Sequence, residues 1–173
     1  VSIESPDSDD ILILDSADRV AKLSIHGELT NYLSVPEPKA IVFVGSKTYI
    51  GGPGYISVVD QNSTFVTVAS LSNTVYSFAI DPDDESLIYF VAGHRVKRID
   101  TKAYLVTDFA GTVEGYLDES VAYCQVNNPT SLVFDHNKDL LVASTGSHVI
   151  QKIDMVLGAT TLVAGIPNQP GCG

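Results

Sequence analysis

Residues 127–154 read NNPTSLVFDHNKDLLVASTGSHVIQKID, and the rest of the chain is most easily understood from them. Short apolar runs rich in Val, Ile, Leu and Phe, Leu132–Phe134 and Leu140–Ala143, are separated by clusters of Asp, Asn, Ser and Gly. Strands bounded by tight turns have this composition. A further strand, TTLVAG (160–165), follows directly.

The same strand–turn–strand core recurs upstream as ILILDSADRVAKLS (11–24), KTYIGGPGYISVVD (47–60) and LIYFVAGHRVKRID (87–100). Each copy is preceded by one strand: VSIES (1–5), AIVFV (40–44), SFAID (77–81) and SLVFD (131–135). Each is followed by another: LTNYLS (29–34), FVTVAS (65–70), LVTDFAG (105–111) and TTLVAG (160–165). With Val20, Ile56, Val96 and Ile150 taken as equivalent, the steps are 36, 40 and 54 residues, the last lengthened by an insertion at 112–127. A period near 40 with four strands per unit is the signature of propeller blades. The expected fold is therefore all-β, a β-propeller of four-stranded antiparallel blades, with four blades forming a partial ring. A single region, 1–173, would hold blades at about 1–34, 38–70, 74–111 and 128–165.

Continuously apolar runs such as Leu140–Ala143 suit strands covered on both faces, whereas Val96 and Ile99 bracket a charged pair, Lys97 and Arg98, expected to be exposed. No segment sustains a helical period. Within the insertion, Asp118 to Cys124 could form one helical turn capped by Asp118.

These residues resemble the NHL-repeat family of β-propellers. Its pattern is Asn-Pro-x-Gly-hydrophobic, an apolar strand, an Asp-Thr-Gly-Asn-His-Arg-Ile type turn, and a strand ending in Asp. The unit at 127–154 follows it along its length, DSADRV (15–20) and AGHRV (92–96) match its turn, and GTVEGYLDESVAYCQVNNP (111–129) is similar to its inter-blade connector. Two departures stand out: Gly51-Gly52-Pro53-Gly54 in place of the turn, and Ser131 in place of the glycine after Asn-Pro. The resemblance implies six blades in most members. Four blades, followed at 166–173 by what reads as the start of a further connector, imply a fragment of a larger ring. Val1 is likewise read as an artificial or processing boundary, and self-association through exposed terminal blades is an additional expectation.

The net charge is −11, from 10 basic and 21 acidic residues, which disfavours a nucleic-acid partner. No apolar run approaches the roughly 20 residues of a membrane helix. The chain has neither Gly-x-Ser-x-Gly, nor a glycine-rich phosphate loop, nor His-Glu-x-x-His, so no catalytic residues are assigned and no cofactor is expected. Acidic turns such as Asp81–Glu85 lack calcium-loop spacing and read as solvated turns.

What remains is recognition by loops on a rigid scaffold. The candidate binding residues are Tyr116, Leu117, Asp118 and Glu119 of the insertion, with His94, Arg95 and His148 of neighbouring turns. A protein, peptide or glycan partner is expected, the chain acting as a non-enzymatic binding or scaffold module. The alternative is a propeller enzyme, a hydrolase or one similar to the zinc-dependent peptidyl-hydroxyglycine amidating lyases. His94 and His148 occupy equivalent turns, but two histidines fall short of a three-ligand zinc site, and no metal site is assigned. RNA binding is the third reading. Cys124 and Cys172 are a disulfide candidate and Asn62 in Asn-Ser-Thr a glycosylation candidate. Both lean toward an extracellular or ectodomain location and leave a cytoplasmic one open.

Overall fold

A computed structural model describes residues 3–4, 11–15, 19–24, 26–59 and 64–171. Its strands are antiparallel throughout, and one turn of 3₁₀ helix, Thr145–Ser147, is the only helical element among the described residues. The chain forms two compact units, Val1–Tyr76 and Ser77–Gly173.

In the first unit β1 (Ile3–Glu4), β2 (Ile11–Asp15), β3 (Arg19–Leu23) and β4 (Leu29–Ser34) lie side by side in chain order. They are followed by β5 (Ala40–Val44), β6 (Lys47–Val59) and the first part of β7 (Phe65–Ile80). Leu12, Leu14, Val20, Val35, Ile41, Ile50 and Val59 form one buried cluster. In the second unit the remainder of β7 is followed by β8 (Leu87–Ala92), β9 (Arg95–Asp100) and β10 (Leu105–Ala110). A four-stranded sheet comes next: β11 (Pro129–Phe134), β12 (Leu140–Ser144), β13 (Val149–Asp154) and β14 (Ala159–Gly165). Its core gathers Tyr89, Val91, Val96, Ala110, Leu132, Leu140, Val142 and Ile153. The ring of Tyr89 meets those of Phe109 and Phe134 edge-on, at 4.9 and 5.5 Å between centroids.

The second repeat departs from the sequence expectation. Gly51 to Gly54 do not reverse the chain, and β6 runs through them, pairing with β5 by its first half and with β7 by its second. Gly54 is left-handed (φ 76°), which inserts a bulge between Pro53 and Tyr55 instead of a hairpin. Gly52 is needed because the Tyr55 ring lies where its Cβ would be, while Tyr55 Oη donates to Pro36 O at 2.6 Å. The strands expected at 65–70 and 77–81 are joined into the one strand β7. Lys97 and Arg98 also differ from expectation, being half-buried rather than exposed. Lys97 pairs with Asp108, and Arg98 sits against the Tyr89 hydroxyl.

Two features repeat with the sequence. Opposite Val20, Ile56, Val96 and Ile150, the strand that follows in the chain (β4, β7, β10 or β14) skips one residue: Tyr32, Val68, Phe109 and Val163 each lack a cross-strand partner in that pairing. A bulge turns such a residue out of the pleat, and Phe109 is aimed in this way at the core. Strand-ending aspartates then set the turns. Asp81, Asp100, Asp135 and Asp154 each accept backbone N–H groups two and three or four residues ahead through Oδ1.

Where β10 and β14 end, Gly111 (φ 87°) and Gly165 (φ 91°) approach the neighbouring strand closely. A Cβ on Gly111 would sit 2.7 Å from His94 O, and one on Gly165 would sit 2.2 Å from His148 O. Gly111→Ala and Gly165→Ala should each lose about 2–3 kcal/mol in urea denaturation, because left-handed strain and a backbone clash add. Gly27→Asn, at a left-handed position with nothing within 4 Å, should change stability by less than about 1 kcal/mol. Equal losses at the three positions would refute the close-approach explanation.

Candidate functional site

The insertion at 112–127 is a fixed connector of the second unit. Thr112 N donates to Cys124 O at 3.1 Å, and Leu117 forms a bridge with Gln125, so the two limbs of the connector run against each other. The helical turn expected there does not form as a helix: 121–123 is a hydrogen-bonded turn, with Cys124 N donating to Ser120 O at 2.8 Å. Asp118 does not cap that turn, because its carboxylate is used elsewhere.

That use begins at Gln151. Val149, Gln151 and Ile153 occupy the inward row of β13, and Gln151 is fully buried. Its Nε2 donates to Asp118 Oδ1 at 2.9 Å and to Gln125 O at 3.3 Å, while its Oε1 has no partner among the described residues. A buried amide without hydrogen bonds is costly, so this residue dictates where the connector crosses β13. Tyr116 donates its hydroxyl to the other carboxylate oxygen of Asp118 at 2.5 Å. Desolvation, reinforced by the Asp118 carboxylate, pushes the Tyr116 hydroxyl up to about 12. On the far side, Thr160 clamps Glu119: Glu119 N donates to Thr160 Oγ1 at 2.9 Å, and Thr160 N donates to Glu119 O at 2.8 Å.

The structure thus splits the predicted quartet. Tyr116 and Asp118 are half-buried and hold the connector, whereas Leu117 and Glu119 project outward. His94 Nδ1 accepts from Asn128 N at 3.3 Å, and its Nε2 lies 3.9 Å from Glu114 Oε2, which places it at the connector's base. Arg95 is engaged internally, donating from Nη1 to Asp108 Oδ2 at 2.9 Å and to Gly111 O at 3.2 Å. His148 is exposed in a left-handed conformation (φ 59°) where the 3₁₀ turn meets β13. Among the described residues no group of three or more His, Cys, Asp or Glu is placed to hold a metal ion. Cys124 is buried, and burial pushes its thiol up despite the donation from Gly111 N at 3.3 Å. Cys172 and Asn62 lie outside the described residues, so the disulfide and glycosylation candidates do too.

Sequence reasoning missed Gln151, Tyr123 and Val113. A polar residue in the apolar period-two row of β13 is the signal that identifies Gln151. Tyr123 is 71 % exposed and Val113 57 %, on either side of the Thr112–Cys124 link. Together with Leu117 they make the connector's outer surface aromatic and aliphatic.

Solved structures with similar folds are numerous. An auxiliary nutrient binding protein from Bacteroides thetaiotaomicron matches with a TM-score of 0.73 at 15 % identity, over 91 % of this chain and 44 % of its own. The fold is that of a β-propeller. The other matches span the same architecture. The nidogen/laminin complex gives a TM-score of 0.68 at 13 % identity, over 88 % of this chain and 57 % of that one. A catalytically inactive virginiamycin B lyase from Staphylococcus aureus, solved with quinupristin, gives 0.69 at 17 % identity, over 95 % and 55 %. The propeller described here therefore spans about half the length of these neighbours. No family model matches the sequence, and no curated protein does. Among the described residues no helix is long and apolar enough to cross a membrane.

Gln151→Leu should lower stability by about 1–2 kcal/mol and raise amide exchange across 117–125, since it removes both donors to the connector. In a spectrophotometric titration, one tyrosine lost in Tyr116→Phe should ionise near pH 12. A raised folded value favours the native state below the unfolded value of about 10, so stability should fall as pH climbs from there toward 12.

Proposed function

We propose that this β-propeller, of NHL-repeat type, is a non-enzymatic binding module whose connector face recognises a protein, peptide or glycan. One observation carries the reading. The connector at 112–127 is tied down at Gln151, Thr160 and Gly158, yet it presents Val113, Leu117 and Tyr123 to solvent. Such a loop offers apolar and aromatic area whose conformational entropy is already spent by the fold, which favours tight recognition. Glu114 and Glu119 give the surface an acidic edge, and with a net charge of −11 this supports a polypeptide or glycan partner over a nucleic acid. His94 and His148 serve here as flanking contacts of the connector face. An extracellular or ectodomain location suits this reading.

Screening the chain on displayed-peptide libraries and on glycan arrays tests the proposal. Binding should weaken at least about tenfold in Leu117→Asp and in Tyr123→Asp, with melting temperatures held. Binding indifferent to both substitutions, or turnover of a bound ligand, would overturn it.

A further inference from the structure

We propose that the second unit has another binding surface, at the sheet ends remote from the connector, which takes a polypeptide segment where Lys or Arg is flanked by apolar side chains. It rests on residues the connector does not use. Antiparallel topology sends the β7–β8, β11–β12 and β13–β14 turns to one end of the sheets, and the β8–β9 hairpin and the connector to the other. Between those three turns lies a cleft of about 360 Å³. Phe134 and Met155, both packed against the core, provide its apolar lining.

The acidic side of this cleft does more than close its turns. Asp81 Oδ1 accepts the N–H groups of Asp83 and Asp84, and Asp84 Oδ1 accepts Ser86 N and Oγ at 3.0 and 2.6 Å. Asp83 Oδ1 pairs with Lys138. The Oδ2 atoms of these three aspartates have no partner among the described residues. Asp139 is matched separately by Lys152 at 2.9 Å. Among the described residues Lys138 is the one cation lining the cleft against these three carboxylates, with Lys102 acting on Asp84 from outside it, which leaves the cleft anionic and selects a cationic guest.

The rim supplies a second, independent feature. Val156 is 92 % exposed and Leu157 78 %. Asp154 fixes their turn through the backbone N–H groups of both, an arrangement that places no demand on the side chains. The turn built in the same way after Asp100 carries Lys102 and Ala103 instead. Two adjacent aliphatic side chains held in water beside an acidic, apolar-lined cleft match a segment that brings apolar flanks to the rim and a basic head to the aspartates. The alkyl stem of Lys or Arg would lie along Phe134 and Met155.

Amide chemical shifts of the full chain, titrated with acetyl-Leu-Arg-Leu-Arg-Leu-amide and with the same peptide carrying Glu for Arg, decide the matter. The arginine peptide should move resonances at 81–86, 134–139 and 154–158 at or below about 1 mM. Binding should weaken about tenfold or more in Asp83→Asn/Asp84→Asn and in Val156→Ser/Leu157→Ser, and again at high salt. The asparagines keep the turn acceptors, so unchanged melting is expected in both variants. Leu117→Asp should leave this binding intact, which separates it from recognition by the connector. No shifts at about 1 mM, equal binding of the glutamate peptide, or indifference to both double variants would overturn the proposal. Binding to neutral phosphatidylcholine vesicles through Val156 and Leu157 would overturn it too, making the rim a lipid anchor.

Discussion

An amide buried in an apolar row, that of Gln151, constrains everything around the connector. Between Val149 and Ile153 it cannot reach bulk water, and the strands flanking β13 consume their own backbone groups in the ladder. Its two donors are met by Asp118 and by the carbonyl of Gln125, both from the connector. Satisfying one buried polar group thereby fixes two points of a loop that would otherwise be free. Asp118 then orients Tyr116, and Thr160 secures Glu119 from the adjacent strand. What projects into solvent from this frame, Leu117 and Tyr123 above all, is held in place by the core beneath it.

The repeat provides the scaffold on which that difference is mounted. All four repeats carry the same bulge on the strand that follows Val20, Ile56, Val96 and Ile150 and pairs opposite them. The strands then end differently: Ser34 and Ser70 pair at the positions that Gly165 occupies in the last sheet. Gly111 and Gly165 allow the backbone to pass close over the preceding turn at His94 and His148, and it is after Gly111 that the connector departs. Function on a repeat scaffold resides in such local departures, since the shared pattern answers to packing.

The two ends of the second unit's sheets differ in physical character. At the connector end, the donors of Gln151, Tyr116 and Arg95 are paired, while Gln151 Oε1 and Asn127 Oδ1 have no partner among the described residues, and Val113, Leu117 and Tyr123 make the exposed surface aromatic and aliphatic. At the turn end, aspartates close the turns through one oxygen each, and beside them stands an aliphatic pair. The strong acidity of the sequence is therefore spread unevenly in its effects, much of it absorbed by turn closure and by ion pairs such as Lys152 with Asp139.

The all-β antiparallel class and most of the strands were legible in the residues, because alternation, β-branched runs and Asp or Gly turns act over a few neighbours. The sequence also marked the insertion as the place to look for recognition. It misjudged Gly51 to Gly54, where glycines that locally favour reversal are drawn into one strand by pairing on both sides and by the Tyr55 ring lying over Gly52. It could not divide Tyr116 and Asp118, which hold the connector, from Leu117, which faces outward, nor withdraw Arg95, whose guanidinium is consumed by Asp108 and Gly111. Those roles depend on which distant groups, Gln151 above all, arrive within hydrogen-bonding distance. Local propensity determined the strands; only the packing of one strand against a connector 26 or more residues away determined which side chains are fastened and which are offered.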